Sequence, residues 1–130
     1  MKSLIAIVAG IIVAGVTGFL VQWAGDALLS AMMGLDPITA QGASTLGVER
    51  ATESLMVVVA GYVLGPMAGG YLAARLAPSR PATHALFVGG FQLLFAVMAL
   101  ALFPHPAWFS VATWLAFPAG ALAGAALARV

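Results

Sequence analysis

The sequence predicts an all-α integral membrane protein, a four-transmembrane-helix bundle forming a single domain over residues 1–130. Three observations predict it. Of the residues, 63% are hydrophobic and only 7% charged, against roughly 25% charged in water-soluble domains, so a water-soluble globule is excluded. Four apolar runs approach the ~20 residues that a helix rising about 1.5 Å per residue needs to cross a hydrocarbon core of about 30 Å. The breaks between runs, at GLDPITAQGASTLGVERATES, RLAPSRPAT and FPHP, collect the charges and the turn formers.

The first helix is expected over about residues 4–33. The stretch Leu4 to Val21 carries no charge and no clear A-x-A site follows it. It also exceeds the apolar core of about 7–15 residues in a cleaved secretory signal, so it reads as a retained span. Gln22, Asp26 and Ser30 recur every fourth position and share one face, with Thr17 deeper in the membrane. Trp23 fits an interfacial aromatic belt, which puts the Asp26 carboxylate within reach of water. The segment that follows opens on Asp36-Pro37, a cap followed by proline at the first helical position, and ends near Glu49, Arg50 and Glu53. It is expected to form a short extracytoplasmic helix or loop.

The second helix is expected over about 54–76, the third over about 83–103 and the fourth over about 106–128. Without a hydrophobic force between helices in lipid, association depends on close backbone approach, which small residues four apart permit. Ala6, Gly10, Ala14 and Gly18 provide this on the first helix, Gly61, Gly65 and Gly69 on the second, Ala85 and Gly89 on the third, and Ala116, Gly120 and Gly124 on the fourth. These are expected to be packing faces, within the chain or between copies. Pro66 and Pro118 lie inside apolar runs and predict kinks, each leaving a carbonyl four residues back without its helical donor. Both segments then run to an arginine, Arg75 or Arg129, which hints at a duplicated helical hairpin. In FPHPAWF, Pro104 should end the third helix, Pro106 open the fourth, His105 turn the chain and Trp108 anchor the corner at headgroup level.

Charge gives the orientation. With the N-terminus inside, Lys2, Arg75, Arg80 and Arg129 fall on the cytoplasmic side, while Asp26, Asp36, Glu49, Arg50 and Glu53 fall outside. Four of the five Lys and Arg residues inside is a positive-inside pattern. It predicts a multi-pass protein of the inner (plasma) membrane with both termini cytoplasmic and the His105 corner outside.

Polar groups in lipid are costly, so each is a functional candidate. Gln92 sits near the centre of the third run, where its amide needs partners, an interhelical bond to Thr17 or to a proline-freed carbonyl being the expected solution. His84 and His105 stand at opposite ends of that helix, roughly 30 Å apart, and cannot share one haem or metal. A metal at His105 would need Asp26, Glu49 or Glu53, or a second copy. The chain has no cysteine, which removes disulfides, thiol catalysis and thiolate metal sites. A net charge of +1 argues against nucleic acid as a partner. No catalytic set, cofactor site or metal site is expected.

The stretch AGGYLAARLAP at 68–78, the histidine near the start of the third helix, FPHPAWF at 103–109 and LAFPAGALAGAALAR at 115–129 together resemble a class of small bacterial inner-membrane proteins. In that class a PHPxWF-type hairpin joins the last two of four helices. The resemblance covers roughly residues 55–130; it implies fold and membrane location and no activity. Small multidrug transporters share the length and helix count but place a glutamate in the first helix, where IAIVAGIIVAGVTGFLV has no ionisable residue. The functional expectation is a noncatalytic accessory or interaction subunit, or a self-associating helical bundle. Its partners would be the lipid bilayer and a second copy or a larger membrane complex. The alternative is a small transporter or channel with a polar path near Gln92 and Asp26.

Overall fold

The computed structural model describes residues 1–33, 52–102 and 104–130. They form four helices: α1 (Lys2–Met33), α2 (Thr52–Leu76), α3 (Pro81–Leu102) and α4 (Ala107–Leu127). All four are long and apolar enough to cross a membrane. At about 1.5 Å per residue, the 22 residues of α3 and the 21 of α4 match a hydrocarbon core of about 30 Å, while the 32 of α1 overreach it. The expected extramembrane helix or loop lies outside the described residues.

The boundaries follow local chemistry. Helix α3 starts at Pro81, two residues before the expected position, because proline is preorganised for a first helical position whose N–H would have no partner. Arg80 supplies the bend with a left-handed φ of 46°. Its carbonyl accepts from the backbone N–H groups of Thr83 and His84 at 3.0 and 3.3 Å. The His84 ring reaches the same oxygen, 3.1 Å from Nδ1, and a carbonyl can only accept, so Nδ1 carries the proton. His84 is buried.

At the other hairpin the expectation for Pro106 needs correction. It is extended (φ −71°, ψ 154°) and precedes α4, whose first residue is Ala107. Pro66 and Pro118 sit inside helices that continue past them.

Facing positions define the topology. Gly10, Ala14 and Gly18 of α1 meet Gly69, Gly65 and Gly61 of α2 in reverse order, so the two helices are antiparallel. Gly120 and Gly124 of α4 meet Val63 and Met67 of α2 in the same order, so those two are parallel. Among the described residues, helix α2 touches every other helix, α3 touches α1, α2 and α4, and α1 does not touch α4. The bundle is therefore a rhombus in the order α1, α2, α4, α3, with α2 and α3 across its short diagonal. The two hairpins are not equivalently placed, since α2 has three neighbours and α4 two.

The core is built of small residues: Ala74, Ala85, Ala121 and Ala125 form one cluster, and Ala14, Ala73 and Val88 another. Leu55, Val58 and Phe109 close the end away from the N-terminus. The glycine faces are consumed inside this single chain. A Cβ at Gly65 would lie 2.7 Å from the Ala14 carbonyl oxygen, and one at Gly10 would lie 2.7 Å from Val88 and 2.8 Å from the Gly69 carbonyl. A Cβ at Gly69 would collide with the Gly10 carbonyl, and one at Gly124 with that of Met67. Backbone cannot yield as a flexible side chain can. Of the two roles expected for these glycines, packing within the chain is the one they fill.

Candidate functional site: the α1/α3 crevice

The seam between α1 and α3 is closed on its inner side, where Gly10 and Ala14 meet Val88, and open on its outer side. Gly15 of α1 and Gly90 of α3 are exposed, and an added Cβ at either would meet nothing within 4 Å. Both sit one position off the small-residue rows of their helices, in the pairs Ala14-Gly15 and Gly89-Gly90. That displacement turns them away from the packed face.

Two cavities follow the seam. One, of about 390 Å³, is lined by residues of all four helices, among them Gly15, Gly18 and Gln22 of α1, Tyr62 of α2, Phe91, Gln92 and Phe95 of α3, and Phe117 of α4. The other, of about 380 Å³, lies toward the N-terminal ends of α1 and α3, between Ile7 and Ile11 on one side and Thr83, Phe87 and Gly90 on the other. Ile11 and Phe91 line both, so the cavities run end to end as one crevice.

Its polar groups concentrate in the first cavity. Gln22 lies over Gly61, whose missing Cβ makes room for it; a Cβ there would be 2.8 Å from Gln22 Cγ. Gln92 stands across the crevice on α3. Its Oε1 is buried and has no hydrogen-bond partner among the described residues, so the bond expected from Thr17 to this oxygen is not made. Leaving such an acceptor unpaired costs about 1–3 kcal/mol. Around the two amides stand aromatic rings: Tyr62 against Phe117 with centroids 4.6 Å apart, and Phe91 against Phe95 at 5.1 Å. Phe91 and Phe95 are also exposed and so flank the opening.

The other candidates named from residue type and position fall elsewhere. Asp26, one turn beyond Gln22, is not part of the crevice lining; it accepts a hydrogen bond from the Ser54 hydroxyl at 3.3 Å, tying α1 to the start of α2. His105 Nε2 lies 2.7 Å from Ser110 Oγ, and its ring meets the edge of Phe109 at 6.1 Å, which braces the corner before α4. No group of three or more His, Cys, Asp or Glu able to hold a metal occurs among the described residues; Glu49 lies outside them. Trp23, Trp108 and Trp114 are exposed on the bundle surface. Arg75 folds over Tyr71, donating to its hydroxyl at 3.2 Å.

Sequence reasoning named Gln22 and Gln92 and missed Gly15, Gly90, Tyr62 and Phe117. The off-row glycines were a usable signal, because a glycine outside the packing row has no packing reason to be there.

Fold and crevice together define a class: an all-helical chain with four helices able to span a membrane and a lateral opening between two of them. No family model, curated protein or solved structure matches the chain.

Proposed function

We propose that this protein is a noncatalytic accessory or interaction protein of the bacterial inner membrane, both termini cytoplasmic, whose α1/α3 crevice receives a membrane-embedded partner. Lys2, Arg75, Arg80 and Arg129 belong to the end of the bundle that carries both termini, and Glu53 and the Asp26–Ser54 contact lie toward the other, which supports that orientation. Self-association through glycine rows is disfavoured, because the rows already meet each other inside the chain. The observation that carries the reading is the open α1/α3 seam, where a Cβ added at Gly15 or Gly90 would meet nothing within 4 Å and Phe91 and Phe95 stand exposed at the opening.

A transporter would need polar groups along the whole path. Gln22 and Gln92 share one cavity, but among the described residues Thr83 is the one polar side chain lining the second, and Asp26 is off the route. Partner binding therefore fits better than transport.

The test uses the full chain drawn from its membrane in polymer-bounded nanodiscs, as wild type and as the double variant Gly15→Leu/Gly90→Leu. Those leucines would enter open space and fill the crevice. The wild type should retain a bound molecule, lipid or protein, that the variant loses. Identical bound sets in the two would overturn the reading.

A further inference from the structure

Arg75, the penultimate residue of α2, lines neither cavity of the crevice. An arginine at the end of a membrane helix ordinarily extends outward and keeps its charged head in water. Arg75 folds the other way. Its Nε donates to the Tyr71 hydroxyl at 3.2 Å, and its guanidinium carbon stands 5.5 Å from the centre of the Tyr71 ring. Tyr71 lies one turn back, roughly 6 Å nearer the middle of the helix, so the guanidinium fork is turned toward the bilayer. Both residues are exposed on the side of α2 that adjoins α4, where a Cβ at Gly124 would lie 2.7 Å from the Tyr71 backbone nitrogen.

The contact with Tyr71 uses Nε and leaves Nη1 and Nη2, which can only donate. Among the described residues nothing accepts from them, and Arg75 has no ion pair. Tyr71 therefore fixes the plane of the fork and leaves its outer edge open, the geometry in which arginine takes a phosphate through two parallel bonds. At the end of a membrane helix, the phosphodiester of a phospholipid is the acceptor within reach. Leu64 and Ala68 continue the face of Tyr71 and Arg75 at helical spacing, and Leu64 is exposed, so acyl chains have apolar surface to follow.

The charge of the headgroup follows from the surroundings. Lys2, Arg80 and Arg129 stand exposed at the same end of the bundle. Among the described residues no Asp or Glu side chain joins them, since Asp26 and Glu53 belong to the other end. A zwitterionic headgroup would set its own cation among these cations with no carboxylate to receive it. An anionic headgroup carries no such cation and is drawn in by the same field.

We infer that Arg75, held by Tyr71, binds an anionic phospholipid at the end of the bundle that carries both termini, its Nη groups donating to the lipid phosphate and the acyl chains lying along Ala68 and Leu64. The site does not depend on the crevice.

The experiment titrates the full chain, delipidated in neutral detergent, with dioleoylphosphatidylglycerol, dioleoylphosphatidylcholine or inorganic phosphate, and counts bound molecules by native mass spectrometry. The wild type should bind its first phosphatidylglycerol several-fold more tightly than its first phosphatidylcholine, and inorganic phosphate should not displace it. Arg75→Gln should erase that preference. Arg75→Lys keeps the charge without the fork and should lose most of it, while Tyr71→Phe frees Nε and should lose part. Arg129→Gln removes a charge away from Tyr71 and should change the affinity little.

Equal affinity for the two lipids in the wild type would overturn the anionic assignment. Equal losses in Arg75→Gln and Arg129→Gln would overturn the site, because net charge alone would then account for binding. Displacement by inorganic phosphate would overturn the lipid assignment and leave a phosphate site. Each of these outcomes leaves the crevice reading untouched, because Gly15→Leu/Gly90→Leu alters neither Arg75 nor Tyr71.

Discussion

Helix α1 meets α2 and α3 in opposite ways. Toward α2, Gly10, Ala14 and Gly18 find Gly69, Gly65 and Gly61, and the two backbones come into contact. Toward α3, α1 makes its least extensive contact, and Gly15 faces open space across from Phe91 and Gln92. Both seams are rich in small residues; what separates them is register. A small residue closes a membrane seam where its register brings a facing backbone or a compact side chain against it, as Gly10 meets both Gly69 and Val88, since lipid adds no hydrophobic pressure to pull mismatched faces together. Where a glycine faces phenylalanines instead, a crevice stays open.

The closed seam should be the fragile one. At Gly69 a leucine would drive its Cβ into the Gly10 carbonyl and the Ala14 side chain. Overpacking of this kind costs about 1–3 kcal/mol, and more where backbone is the obstacle. Gly69→Leu is thus expected to lose about 3 kcal/mol or more, read as a collapse of the thermal unfolding midpoint in detergent. Retention of the wild-type midpoint would show that α1 and α2 can slide apart at no cost, and the comparison would fail.

The polar spot of the open seam comes next. Gln92→Leu removes a buried acceptor that no described residue satisfies, so the protein stripped of bound molecules should gain about 1–3 kcal/mol. The sign, read from equilibrium unfolding, is what matters: a loss on substitution would mean that the amide holds helices together, as the sequence alone leads one to expect.

That expectation shows where sequence stops being informative. The four spans were legible from uncharged runs of the right length, and the helix ends moved by no more than two residues, to Lys2, Thr52 and Pro81 at the largest. Proline's fitness for the first helical position explains one shift, and the extended ψ of Pro106 explains why α4 starts a residue late. Which helices touch was not legible. Every helix carries small residues at four-residue spacing, and nothing in one chain says which rows meet, so neither the missing α1–α4 contact nor the central place of α2 could be read. The same ambiguity left Gln92 with assumed partners in Thr17 or a proline-freed carbonyl, because depth in the membrane can be read from position in a run while facing cannot.

Gly15 gives the smallest and most discriminating effect. A leucine at Gly15 meets no atom within 4 Å of its Cβ, so overpacking is absent. Glycine in a helix interior is about 1 kcal/mol less favourable than alanine, and leucine also adds apolar contact with the crevice wall. Gly15→Leu is therefore expected to leave the unfolding midpoint unchanged or to add up to about 1 kcal/mol of stability, while closing the opening. Equilibrium unfolding in one detergent, run beside Gly69→Leu, provides the measurement. An added leucine would then be harmless in the seam on one side of α1 and disruptive in the seam on the other, and a destabilised Gly15→Leu would mean that α3 packs on α1 more tightly than the crevice allows.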